Sequence, residues 1–189
     1  FLATVTGTFL CAVLVSAGKV RGIIMRIVQI PIIVPHVVVA LFIVNILSQN
    51  GILARILANA GLITDQQQFP ILIYDRYGFG VILAYLWKEI PFIIYFVIAL
   101  MANINGSLGE AATNLGANKL QTFMKVTLPL CMNTVLSGFL IIFVFALGAY
   151  ELPFILGATT PKALPVLAYL EYTKPDLRAR PYAIAINGI

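Results

Sequence analysis

Residues Glu110 to Pro129 read EAATNLGANKLQTFMKVTLP, a long amphipathic run set between two strongly apolar stretches. Its local chemistry predicts two short helices and a tight turn. Ser107-Leu108-Gly109-Glu110 places Ser107 as N-cap with Glu110 three residues on, a capping box. Ala111 and Ala112 favour helix, and Gly116 stands where a left-handed residue would end it. Asn118 and Gln121 offer a second box. Leu120, Phe123, Met124 and Val126 then supply an apolar face, and Pro129 is expected to close the element as the chain returns to apolar surroundings.

Composition explains why such a run is unusual here. Of 189 residues, 61% are hydrophobic and 10% charged, with a mean hydropathy of +1.00. A soluble domain is about half apolar and about a quarter charged. The chain is therefore expected to be all-α, a polytopic bundle of transmembrane helices. The net charge of +5 is scattered among apolar segments and forms no stripe suited to nucleic acid. Cys11 and Cys131 both fall in apolar stretches, as buried thiols do. Phe1 opens inside an apolar run and the chain stops soon after a new one begins beyond Pro181, so an internal piece of a longer protein is expected, truncated at both ends.

Outward from the opening run, apolar stretches cover roughly 1–17, 24–47, 77–101 and 130–156. Each is expected to be a span, the complete ones having about 20 or more residues, enough for roughly 30 Å of hydrocarbon. Lys19 and Arg21 mark a first water-facing turn, and Tyr74 and Tyr77 are interface anchors. Ile52, Leu53, Ile56 and Leu57 share one face of a short helix bounded by Gly51 and Gly61, expected on the membrane surface or against the bundle. Alternate crossings put loops 18–23 and 102–129 on one side, 48–76 and 157–181 on the other. Basic residues occur on both sides, and their bias does not fix the orientation.

Glu110-Ala111-Ala112, three residues, Gly116, nine residues, then Val126-Thr127-Leu128-Pro129 resembles the EAA signature of bacterial ABC-importer permeases. That signature ends in Ile-x-Leu-Pro, so this sequence departs only at Val126. The proline-bearing second apolar stretch and the Trp87-x-x-x-Pro91 pattern extend the resemblance over essentially the whole chain. The resemblance implies a single permease domain over 1–189 in a bacterial inner membrane. It makes 102–129 a cytoplasmic loop of coupling helices that dock into a groove on an ATPase, with 48–76 and 157–181 external. Coupling would fall to Glu110, Ala111, Ala112, Gly116, Leu128 and Pro129. The implied partners are a cytoplasmic ABC ATPase dimer, a second permease chain (identical or different), an external solute-binding protein and membrane lipid. ATP and Mg would belong to the ATPase, with no cofactor held by this chain.

The sequence contains no G-x-x-x-x-G-K-[ST] phosphate loop. ATP hydrolysis is accordingly expected of a separate subunit, and this chain is expected not to be an enzyme. Ionisable residues inside a span are functional hypotheses by default. Lys88 and Glu89 fall in the third span, and Tyr150 and Glu151 near the end of the fourth. Lys88, Tyr150 and Glu151 are the substrate-pathway residues, with Glu151 a prospective mate for Lys88. His36, the sole histidine, has no companions for a metal site and is expected to pack. The stretches around Glu151 and after Leu164 look most like polyamine-importer permeases. The basic residues of 157–181 suit an anion better. An ATP-independent channel or ion-coupled carrier is the alternative.

Overall fold

The computed structural model describes residues 1–20 and 22–188; Arg21, expected beside Lys19 in the first turn, and Ile189, in the stretch after Pro181, lie outside them. Every regular element among the described residues is helical, and the helices form two compact units.

The first unit, Phe1–Ile33 with Leu86–Phe145, holds α1 (Leu2–Ser16), α2 (Ile23–Ile33) and two hairpin helices described below. It also holds most of α5 (Phe79–Ile104) and α8 (Leu128–Gly148). Its core is a helical stripe on α5: Ile93, Val97 and Met101 recur every fourth residue and are fully buried. Against it lie Gly7 and Cys11 of α1, and Cys131, Val135, Gly138 and Ile142 of α8. Both cysteines are free and fully buried, Cys11 Sγ sitting 3.9 Å from the Ile94 carbonyl oxygen. Small residues let the helices approach closely where no hydrophobic force from water drives them together. α1 stops because Gly18 turns left-handed (φ +67°), its N–H donating to Val15 O and that of Lys19 to Leu14 O.

The second unit, Val34–Tyr85 with Ala146–Ile189, contains α3 (His36–Leu47), α4 (Ile52–Asn59), α9 (Glu151–Leu156), α10 (Leu164–Thr173) and α11 (Arg180–Asn187). Val39, Ala40, Ile43 and Leu47 of α3 pack against Leu152 and Leu156 of α9. The Tyr74 N–H donates to Leu156 O at 2.9 Å. α4 buries Ala54 and leaves Ile52, Leu53 and Ile56 exposed.

Outside both cores the surface is apolar. Val5 and Phe9 on α1, and Leu136, Leu140, Val144 and Leu147 on α8, are all exposed. Such a surface is unsuited to water and matches hydrocarbon. Among the described residues, three helical stretches are long and apolar enough to cross a membrane: 36–59, 79–114 and 119–148. The first of these is jointed between α3 and α4.

Several expected boundaries differ. The stretch at 24–47 is not one helix: α2 ends at Ile33 and α3 starts after Pro35, because proline disfavours a helical residue before it and donates no N–H. The stretch at 130–156 also divides, with α8 ending at Gly148 and α9 starting at Glu151. Pro153 would clash with the carbonyl of Ala149 in a continuous helix, yet in the first turn of α9 its missing N–H costs nothing. Loop 157–181 holds a full helix, α10. In α5, Pro91 leaves the Trp87 carbonyl without its usual donor.

Candidate functional site

The EAATNLGANKLQTFMKVTLP segment forms a helical hairpin on two long helices. α5 does not stop at Met101; it continues through a widened turn at Asn105–Gly109 into α6 (Glu110–Asn114). There the Glu110 N–H reaches back five residues to Asn105 O. The returning arm mirrors this. α7 (Lys119–Thr122) passes through a second widened turn, Phe123–Thr127, into α8, and the Leu128 N–H reaches Phe123 O. Five-residue turns of this kind are rare and concentrate at functional sites.

The expected Ser107 cap does not form. An N-cap needs extended backbone ahead of unsatisfied amides, and here the helix already supplies carbonyls to those amides. The Ser107 hydroxyl donates instead to Asn103 O at 3.0 Å. Pro129 likewise does not close the element, since the arm is helical from Lys119 to Gly148. The widened turn just ahead makes room for a residue that lacks N–H and crowds the carbonyl four residues back.

The second capping box does form: the Gln121 N–H donates to Asn118 Oδ1 at 2.8 Å and the Asn118 N–H to Gln121 Oε1 at 3.0 Å. Between the helices Gly116 is left-handed (φ +89°). Its N–H donates to Thr113 O and that of Ala117 to Ala112 O, the two bonds of a Schellman turn. Asn118→Ala removes the box at a cost of about 1 kcal/mol. Amide exchange across 119–122 is expected to quicken, with that of α5 unchanged; equal exchange in both proteins would show that the box does not hold the turn.

The expected apolar face divides. Phe123 and Val126 are half-buried, while Leu120 and Met124 are exposed together with Leu115, which is 90% exposed at the tip. Glu110 and Ala111 are also exposed, and Ala112 is half-buried. The hairpin therefore exposes Leu115 at its turn, Leu120 and Met124 along its returning arm, and the Glu110 carboxylate at its base. Sequence inspection missed Thr122 and Thr127, whose side chains are buried at the hairpin base.

Elsewhere, Lys88 and Glu89 are 7% and 9% exposed within the first unit. Tyr150 and Glu151 belong to the second, half-buried at the start of α9, with Tyr150 stacked on Tyr169 at 4.4 Å between centroids. His36 is the first residue of α3. Among the described residues no group of three or more His, Cys, Asp or Glu side chains is placed to hold a metal.

Residues 3–186 match the sequence model of the family described as binding-protein-dependent transport system inner membrane component. The chain is 29% identical over 170 residues to a probable molybdenum ABC transporter permease of Haloferax volcanii, covering 89% of this chain and 58% of that protein. It is 30% identical over 171 residues to a molybdate/tungstate transport system permease of Pyrococcus abyssi, covering 89% and 59%. A spermidine/putrescine transport system permease of Haemophilus influenzae is 32% identical over 111 residues, covering 59% and 37%. The chain thus spans less than two thirds of the length of these relatives.

Proposed function

The chain belongs to the family of binding-protein-dependent transport system inner membrane components, and on that premise we propose that it is the transmembrane subunit of an ATP-driven solute importer. Its hairpin couples to a separate ATPase dimer that holds the ATP and Mg. A second permease chain and an external solute-binding protein complete the assembly. The observation carrying this reading is the hairpin. Leu115 is exposed at the turn, and Leu120 and Met124 along the returning arm, of a hairpin carried by helices long and apolar enough to cross a bilayer. Short helices continuous with spanning helices transmit displacement better than a flexible loop. Glu110 offers an exposed charge at the start of the hairpin, Ala111, Ala112 and Gly116 permit close approach, and Leu128 and Pro129 seat the returning arm.

Co-purification with an ATPase and uptake that stops when ATP is withheld test the proposal. Uptake sustained by an ion gradient alone would replace it with a carrier. Glu110→Lys is expected to cut ATP-driven uptake by at least about tenfold with membrane insertion intact; unchanged uptake would remove Glu110 from the coupling surface.

For the solute, two relatives matched along most of the chain are named for molybdenum or molybdate/tungstate and another for spermidine/putrescine. Lys162, Arg178 and Arg180 in segment 157–181 support an oxyanion ahead of a polyamine, Lys174 being paired with Glu171. Lys88, Tyr150 and Glu151 are proposed along the pathway. Glu151→Gln is expected to change the uptake rate while ATPase binding survives; equal rates would make Glu151 purely structural.

A further inference from the structure

The apolar surface of the first unit carries two adjoining troughs. One, of about 470 Å³, lies between Val5 and Phe9 of α1 and Met132, Leu136 and Phe139 of α8. The other, of about 370 Å³, runs between Phe9, Val13 and Ala17 on one side and Lys119, Leu120 and Phe123 of the returning hairpin arm on the other. Phe9 and Phe123 border both, so a continuous apolar path follows α1 from Phe1 to Ala17. Thr4 and Thr8 also border the first trough, but their hydroxyl oxygens are sealed away, which leaves a wall of hydrocarbon. Lys119 is the only charged side chain in either lining; it is exposed and makes no ion pair among the described residues. Lys19, also exposed, follows two residues beyond Ala17, and Glu110 borders neither trough.

An apolar trough that ends at an unpaired cation complements an amphiphile with a hydrocarbon chain and an anionic head. A lysine near the membrane surface favours anionic lipid about fivefold. A helix from a second copy suits the path less well. It is about 10 Å across with its side chains, meets a neighbour by interlocking ridges, and would lay apolar surface over Lys119. An acyl chain is one methylene wide and lies lengthwise. We propose that the path seats one anionic phospholipid from the leaflet that meets the hairpin, with one acyl chain along α1 and the phosphate on Lys119. Such a lipid packs against α1 and the returning arm at once and holds the two together. The site does not rest on the coupling role, because this chain alone forms it.

The test uses the full chain, purified in detergent without an ATPase and loaded with phosphatidylglycerol or phosphatidylcholine, with retained lipid counted by native mass spectrometry. One phosphatidylglycerol per chain is expected to be held at least about fivefold more tightly than phosphatidylcholine. Lys119→Gln is expected to bring the two lipids level. Val13→Trp and Leu136→Trp fill the two troughs from exposed positions. Each is expected to weaken retention of both lipids by at least about fivefold with helix content unchanged. Equal retention of the two lipids by the wild type would overturn the proposal, as would a Lys119→Gln protein that still prefers phosphatidylglycerol. Retention untouched by both tryptophans would place the lipid elsewhere and overturn it too. Displacement of the lipid by inorganic phosphate would leave only a bare anion site. A lipid-free dimer that Leu136→Trp dissociates would give the path to a second copy instead. A chain that retains the lipid but never recruits an ATPase would preserve this site and remove the coupling reading.

Discussion

If the hairpin has the proposed coupling role, Gly116→Pro is expected to abolish ATP-driven uptake while the chain stays in the membrane with its helix content unchanged. The backbone at Gly116 has φ +89°, whereas proline is held near −65°, so the turn between α6 and α7 cannot form. The substitution also deletes the N–H that donates to Thr113 O at 2.9 Å, and with it the alignment that lets Ala117 reach Ala112 O. The two arms, with Leu115 on one and Leu120 and Met124 on the other, then lose their fixed relation. No neighbouring atom lies within 4 Å of a Cβ built at this position, so side-chain crowding does not contribute. Gly116→Ala keeps the N–H and meets only the left-handed penalty of about 1–2 kcal/mol. Asparagine tolerates that conformation. Uptake is expected to fall in the order Gly, Asn, Ala, Pro. A proline variant transporting like the wild type would show that the turn has no part in coupling.

Gly7→Leu is expected to dismantle the first unit. A Cβ there would sit 2.9 Å from Ile93 Cβ and 3.1 Å from Ile90 O, and neither the core residue nor the backbone of α5 has room to retreat. Overpacking of this kind costs about 1–3 kcal/mol for a few added methylenes, and leucine adds a whole branched side chain. Cys11 reports the outcome, being fully buried one helical turn farther along α1. Labelling by a membrane-permeant maleimide is expected to rise by more than about tenfold, with lower yield of membrane-inserted protein. Gly106→Ala, where an added Cβ meets open space, serves as the control. Cys11 equally protected in the Gly7→Leu protein would mean that the α1–α5 contact is not what holds the unit together.

Much of the hairpin was legible residue by residue. The Asn118/Gln121 box and the Gly116 turn are short-range chemistry, set by side chains three residues apart and by one position that only glycine fits easily. They form as expected because little beyond the local chain competes with them. The Ser107 box is equally local in appearance and fails, because α5 reaches that point already helical and leaves no free amides to cap. Likewise Pro35 and Pro153 divide stretches that composition alone presented as single spans.

By itself, the sequence determined that this chain is helical and apolar enough for a bilayer, and that one polar hairpin interrupts it at Glu110–Pro129. Tertiary structure alone decided which side of each helix is core. In a water-soluble protein the polar face announces the buried one; in lipid both faces are apolar, so Ile93 and Tyr95 of α5, one buried and one exposed, carry no distinguishing pattern. It also decided that Thr122 and Thr127 are both buried at the base of the hairpin. Five residues apart, they would diverge around a regular helix of 3.6 residues per turn, and the widened turn at Phe123–Thr127 lets both be buried.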